Sequence, residues 1–108
     1  MSTVGEITPA ELAEARKSAT PPLVIDVREG WELGVAALPD VTHIPMQQIP
    51  ARVGELDKDR DIVVMCRSGG RSMQVAQYLA ANGFRSVKNL TGGILRWGQD
   101  VDPSIPPY

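Results

Sequence analysis

Short apolar runs and amphipathic stretches take turns along this chain. Val4 to Ile7 predicts a brief opening strand. Thr8-Pro9-Ala10-Glu11 then carries the marks of a helix start: Thr8 as cap, Pro9 at the first helical position and Glu11 completing a capping box. The helix is expected to reach about Ser18, since Pro21-Pro22 prevents it from continuing. Leu23-Val24-Ile25-Asp26-Val27 reads as a strand buried on both faces. Residues 28 to 35 predict a short helix or turn, Pro39-Asp40 a turn, and Thr42 to Ile44 a brief strand stopped by Pro45. Ile49 to Leu56 is expected to be helical, with Asp57 to Arg60 as a polar loop. Ile62 to Met65 is the second buried strand. From Arg71 to Asn82 the period changes to that of a helix, with Val75, Ala76, Leu79 and Ala80 on one face. Gly83 suits a left-handed helix end, and Phe84 can pack back on Leu79. Ser86 to Leu90 predicts a last strand. Gly92-Gly93 opens a final helix bearing Ile94, Leu95 and Trp97. The tail from Asp102 to Tyr108 is proline-rich and expected to be irregular.

Strands alternating with helices argue for an α/β fold: an open, mostly parallel sheet of four or five strands with helices on both faces. The length, 108 residues, suits one domain spanning 1–108, with 103–108 as the irregular tail. In such sheets ligands bind beyond the carboxyl ends of the strands. Cys66 lies at that end of its strand, and Asp26, Val27 and Arg28 lie at the same end of another.

Composition narrows the function by exclusion. Apolar residues make up 43% and charged residues 22%, enough for a core and ordinary for a globular protein. The formal charge of -2 and the scattered basic residues argue against a nucleic-acid partner. No stretch approaches the roughly 20 apolar residues of a membrane helix. The N-terminal residues lack the basic start and apolar segment of a signal peptide. A single cysteine forms neither an internal disulfide nor a C-x-x-C metal or redox pair, so no metal site is expected and a reducing cytoplasm is the expected setting.

That cysteine sits in I-V-V-M-C-R-S-G-G-R-S, residues 62 to 72. A buried cysteine after an apolar strand is ordinarily an inert small hydrophobe. The residues immediately after Cys66 point elsewhere. Arg67-Ser68-Gly69-Gly70-Arg71 links a strand to a helix, and glycines let such a loop curl. A curled loop aims several N–H groups at one point, and the succeeding helix adds the positive end of its dipole. A thiol at that point is expected to ionise more easily than free cysteine. The same cradle could hold an anionic substrate, with Arg67 and Arg71 offering forked hydrogen bonds. The alternative for both arginines is a solvated loop surface, which fits Arg67 better than Arg71. The only histidine, His43, lies in T-H-I-P and reads as packed or solvent-facing, so activation is ascribed to the loop and helix end. Trp31 and Trp97 read as approach-lining or core residues, and Met46 and Met65 as packing.

C-R-S-G-G-R-S after an apolar strand resembles the active-site loop of the rhodaneses, or sulfurtransferases. V-I-D-V-R-E with Trp31-Glu32, H-I-P at 43 to 45, and N-L-T-G-G-I-L-R-W at 89 to 97 resemble further landmarks of that family, in order along most of the chain. The resemblance implies a single rhodanese domain. It implies that Cys66 takes a sulfane sulfur from a small anionic donor such as thiosulfate and holds it as a persulfide. Cyanide, a thiol or another protein then accepts the sulfur, without metal or organic cofactor. Arg67, Ser68, Gly69, Gly70 and Arg71 carry over as the loop cradling sulfur and donor. A covalent enzyme form between two half-reactions predicts ping-pong kinetics. Asp26 and Arg28 are expected to brace the loop through a charge pair, or else to cap a helix and face water.

One stretch departs from the family. Many members carry G-H-I-P-G-A after the acidic residue matching Glu32. Here the region reads G-V-A-A-L-P-D-V-T-H-I-P, with Leu38-Pro39-Asp40 where that histidine is expected. Two other functions compete. Cysteine-dependent phosphatases, some of rhodanese-like fold, use C-x5-R, whereas only four residues separate Cys66 from Arg71. That narrower loop suits one sulfur better than a phosphate. A partner-dependent sulfur carrier or binding module is the other competitor.

Overall fold

The computed structural model describes residues 3–108; Met1 and Ser2 lie outside the described residues. Five strands, β1 (Val4–Ile7), β2 (Leu23–Asp26), β3 (Thr42–His43), β4 (Asp61–Met65) and β5 (Ser86–Leu90), form one sheet in the order β1-β5-β4-β2-β3. Every pairing is parallel. Parallel neighbours need crossovers, and these are supplied by α1 (Pro9–Arg16), α2 (Gly30–Val35), α3 (Ile49–Arg52) and α4 (Gly70–Ala81); α5 (Gly93–Asp100) comes after the last strand.

Alternation along the central strands divides the core in two. Ile25, Ile62 and Val64 face Ile49 of α3 and Val75, Ala76 and Leu79 of α4. Val24, Val63 and Met65 point the other way, onto Leu12 of α1 and Ile94 and Trp97 of α5. The expected open parallel sheet with helices on both faces is therefore what forms. Each fully buried aliphatic side chain contributes roughly 1.5–3 kcal/mol. Met65 and Trp97 are core, as packing residues; Met46 packs half-buried against the first cluster.

The order explains where a site belongs. From β4 the chain moves outward to β5 on one side, and from β2 it moves outward to β3 on the other. The carboxyl ends of β2 and β4 thus flank a topological switch point, where open α/β sheets bind ligands. Asp26, Arg28 and Cys66 all cluster there.

Local details reflect the chemistry of the residues. Thr8 and Glu11 form the expected reciprocal capping box. α1 ends at Arg16, two residues short of Ser18, whose hydroxyl donates to the Ala15 carbonyl at 2.7 Å and competes for the last turn. Gly83 adopts φ +87°, and the Phe84 N–H reaches the Leu79 carbonyl at 3.2 Å, closing α4 as foreseen. The helix expected over 49–56 is instead fragmented: a 3-10 turn at Met46–Gln48, α3, then a second 3-10 turn at Val53–Glu55. Pro50 has no N–H to give the preceding turn, and Val53-Gly54 are weak helix formers, so one continuous helix is not sustained. Between α2 and β3, Ala36 and Leu38 turn into the second core, and Asp40 takes φ +58° at the turn. Among the described residues no helix is long and apolar enough to cross a membrane.

Residues 103–108 are irregular in backbone, as expected, but they are not idle. Ile105 and Tyr108 pack against the second core, and Tyr108 reaches the carboxyl end of the sheet.

Candidate active site

Cys66 is buried immediately beyond β4. Gly69 takes φ +111°, the left-handed conformation foreseen for the curl. That turn brings the Gly69 N–H back to the Cys66 sulfur at 3.1 Å. Gly70 does not share the strain; it is the first residue of α4. The Ser72 hydroxyl lies 3.3 Å from the same sulfur. Burial pushes the Cys66 thiol up, but the Ser72 hydroxyl and the N–H groups of Ser72, Gly69 and Ser68 pull it down, and the net shift is downward.

A second element fixes the loop from behind. The N–H groups of Ile94 and Leu95 donate to the carbonyls of Cys66 and Arg67 at 3.0 and 3.1 Å. These are first-turn donors of α5, which lack partners within their own helix. Their approach requires Gly93. A Cβ there would stand 2.4 Å from the Arg67 oxygen and 2.5 Å from the Cys66 oxygen. With its carbonyls held by α5, the loop's N–H groups are left to face the sulfur.

The arginines do not all behave as expected. Arg71 does not simply point into the loop. Its two terminal nitrogens fork onto Glu32 of α2 at 2.7 and 2.9 Å, two of the five donors a guanidinium carries. Its charge still couples favourably to Cys66. Arg67, foreseen as cradle or solvated surface, is exposed and bonds the main-chain oxygen of Tyr108, stacking near that ring at 5.3 Å. Ser68 is exposed as well.

Asp26 and Arg28 do form a charge pair, fully buried, with Nη2 to Oδ2 at 2.7 Å. The pair does not touch the 66–71 loop directly, nor does it face water. Arg28 instead donates to the Ala36 carbonyl at 2.8 Å and to the Tyr108 hydroxyl at 2.7 Å. That hydroxyl donates in turn to Glu32 at 3.0 Å. A chain of polar contacts thus runs from β2 through Tyr108 and Glu32 to Arg71. His43 is spent on the same brace: its Nε2 lies 2.7 Å from the Arg28 carbonyl, so Nε2 is the donor. Trp31, largely exposed, meets Tyr108 edge-on at 6.4 Å and stands at the rim, whereas Trp97 is core.

Sequence reasoning assigned no part at the sulfur to Ser72, Asn89, Gly93 or Tyr108, reading Gly93 only as a helix opening, and saw Glu32 only as a landmark. Glu32 was the most findable, as an acid at a helix start whose side chain accepts the Glu29 N–H. Tyr108 left no local signal.

Glu32 makes the site sensitive to acid. The Arg71 guanidinium lowers the Glu32 carboxyl, burial opposes it, and the Glu29 N–H and Tyr108 hydroxyl add to the lowering; the result is about 2, against an ordinary 4.5. A depressed carboxylate contributes stability that is fully present above the ordinary value and is lost as pH falls through the folded one. Urea unfolding of the parent chain is therefore expected to weaken from about pH 5 toward pH 2, and Glu32→Gln to be less stable at pH 7 but flatter over that window. Parallel pH curves for the two proteins would remove Glu32 from this role.

Residues 8–100 match the family model of the rhodanese-like domain. The chain is similar to a sulfurtransferase of Allochromatium vinosum, 38% identical over 104 residues, covering 96% of this chain and 97% of that one. It is 46% identical over 89 residues to a chloroplastic rhodanese-like/PpiC domain-containing protein of Arabidopsis thaliana, covering 79% of this chain and 30% of that longer protein. The crystal structure of a rhodanese-like domain protein from Staphylococcus aureus superposes with a TM-score of 0.84 at 30% identity, covering 97% of this chain and 99% of that one.

Proposed function

The chain belongs to the rhodanese-like domain family, and from that membership we propose that it is a sulfurtransferase that carries a sulfane sulfur on Cys66. The observation that carries this reading is the sulfur's setting: a buried thiol, lowered in pKa, with the Gly69 N–H at 3.1 Å and the Ser72 hydroxyl at 3.3 Å.

In the first half-reaction the Cys66 thiolate attacks the outer sulfur of a donor such as thiosulfate. The bond between the two donor sulfurs breaks, and sulfite leaves with the electron pair. Cys66 then holds an anionic persulfide. In the second, a nucleophilic acceptor (cyanide, a thiol or a protein thiol) attacks the outer sulfur. The bond to the Cys66 sulfur breaks, and the thiolate is restored. Charge stays on sulfur throughout, which is why donors converging on that point serve the reaction: they stabilise each anionic form. No proton transfer to a base is needed, so a lone His43 bound to a carbonyl is no obstacle. Arg71, with donors beyond those given to Glu32, is the cation best set to meet the donor's sulfonate end. Arg67 contributes once it exchanges the Tyr108 oxygen for the donor.

The test is intact mass. Thiosulfate treatment is expected to add one sulfur atom, mapped to Cys66 and removed by a thiol reductant or by cyanide. No mass gain with thiosulfate or with a low-molecular-weight persulfide would end this reading. Gain with the second but not the first would keep the carrier chemistry and change the donor.

A further inference from the structure

The Ser72 hydroxyl has one proton and two acceptors competing for it. Its oxygen lies 2.5 Å from Asn89 Oδ1 and 3.3 Å from the Cys66 sulfur. All three residues are buried, Ser72 completely. The orientation of the Asn89 amide is set independently: its Nδ2 donates to the Gly69 carbonyl at 3.2 Å. Turning the amide over would bring two oxygens together at Gly69. Asn89 therefore presents to Ser72 an acceptor and nothing else.

We propose that Asn89, on β5, is a positioning residue that draws the Ser72 hydroxyl proton away from the Cys66 sulfur and releases it only when that sulfur carries charge. The inference rests on the reading of Cys66 as the sulfur carrier. With the thiol protonated, S–H donates to Ser72 Oγ and O–H donates to Asn89. When the sulfur is anionic, the hydroxyl rotates toward it and Asn89 Oδ1 gives up its donor. Part of the gain at the sulfur is thus offset at Asn89, so the residue restrains ionisation of the resting thiol. The hydroxyl remains one rotation away from the sulfur. In the second half-reaction the Cys66 sulfur departs as a thiolate, and that rotation supplies a hydrogen bond as the charge appears. Asn89 also steadies Gly69, whose N–H is the other donor to the sulfur. The charged group coupled to this sulfur is Arg71 of α4, itself held by Glu32 of α2; substitutions at Asn89 and Ser72 leave both in place.

The test is the pH dependence of Cys66 alkylation by iodoacetamide in four proteins: parent, Asn89→Leu, Ser72→Ala and the double variant. This readout needs no sulfur donor, so it stands apart from the mass experiment, whose failure would remove the sulfurtransferase reading instead. Asn89→Leu keeps the branched outline of the side chain and removes the acceptor. It is expected to move the alkylation midpoint to lower pH, making the reaction about three- to tenfold faster below the parent's midpoint. In the Ser72→Ala background the same change is expected to have less than a twofold effect, because the hydroxyl through which Asn89 acts is gone. An unchanged or raised midpoint in Asn89→Leu overturns the proposal. So does an equal shift in both backgrounds, which would assign the effect to Gly69 alone. Asn89→Asp covers poor folding of the leucine variant: keeping the acceptor and adding charge, it is expected to raise the midpoint, and a lowered one overturns the proposal.

Discussion

Cys66→Ser is expected to eliminate sulfur loading while leaving the fold nearly untouched. The replacement changes one buried atom, and its hydroxyl can use the partners already present, the Gly69 N–H and Ser72. A stability loss of no more than about 1–2 kcal/mol is expected for such a change. Reactivity has no such cushion. The donors around the sulfur favour the ionised form of a thiol, but an alcohol starts far less acidic, and an alkoxide could not accept and release sulfur through a persulfide. Thiosulfate-driven mass gain and thiocyanate formation should both fall below detection, with thermal unfolding near that of the parent. Retained turnover would mean that sulfur travels by another route, since the chain has no second cysteine.

Gly93→Ala is expected to damage both stability and loading, although the residue carries no chemical group. Gly93 has φ +60°, where a Cβ costs roughly 1–2 kcal/mol by itself. The added carbon would also fall 2.4 Å from the Arg67 oxygen, so α5 must move away from the loop. That movement weakens the hydrogen bonds from Ile94 and Leu95, each worth on the order of 1 kcal/mol. A total of roughly 2–4 kcal/mol is a sizeable part of the 5–15 kcal/mol that holds a domain of this kind. Loading should suffer beyond what partial unfolding explains, because the carbonyls of Cys66 and Arg67 would be free to rotate and the N–H groups with them. Gly70→Ala is the control: a Cβ there has no neighbour within 4 Å, in a helical position. Calorimetry and mass on both variants check the contrast. Similar behaviour of the two would remove the α5 contact from the site's design.

The Glu32, Asn89 and Gly93 experiments all concern residues whose part at the site sequence reasoning passed over for one reason. Each acts on a group far from it along the chain. Asn89 meets Ser72 across 17 positions, and Glu32 meets Arg71 across 39. Neither distance has a period or a motif to betray it. Arg67 shows the converse. Its place in the loop was legible, but its partner is Tyr108, 41 positions away at the end of an irregular stretch.

The linear chain by itself determined the alternation of strands and helices, the α1 cap, the left-handed turns at Gly69 and Gly83, and Cys66 as the nucleophile to consider. These are local matters: hydrophobic period, side-chain capping and the steric freedom of glycine act within a few residues. Only the tertiary structure decided which groups surround the sulfur, that Arg71 is clamped by Glu32, that the Asp26–Arg28 pair reaches the loop through Tyr108 and Glu32, and that a proline-rich tail completes the brace. Those contacts arise from strand order. Putting β4 between β5 and β2 brings Asn89 and Arg28 to either side of Cys66, and parallel crossovers separate such neighbours in sequence by the length of a helix or more.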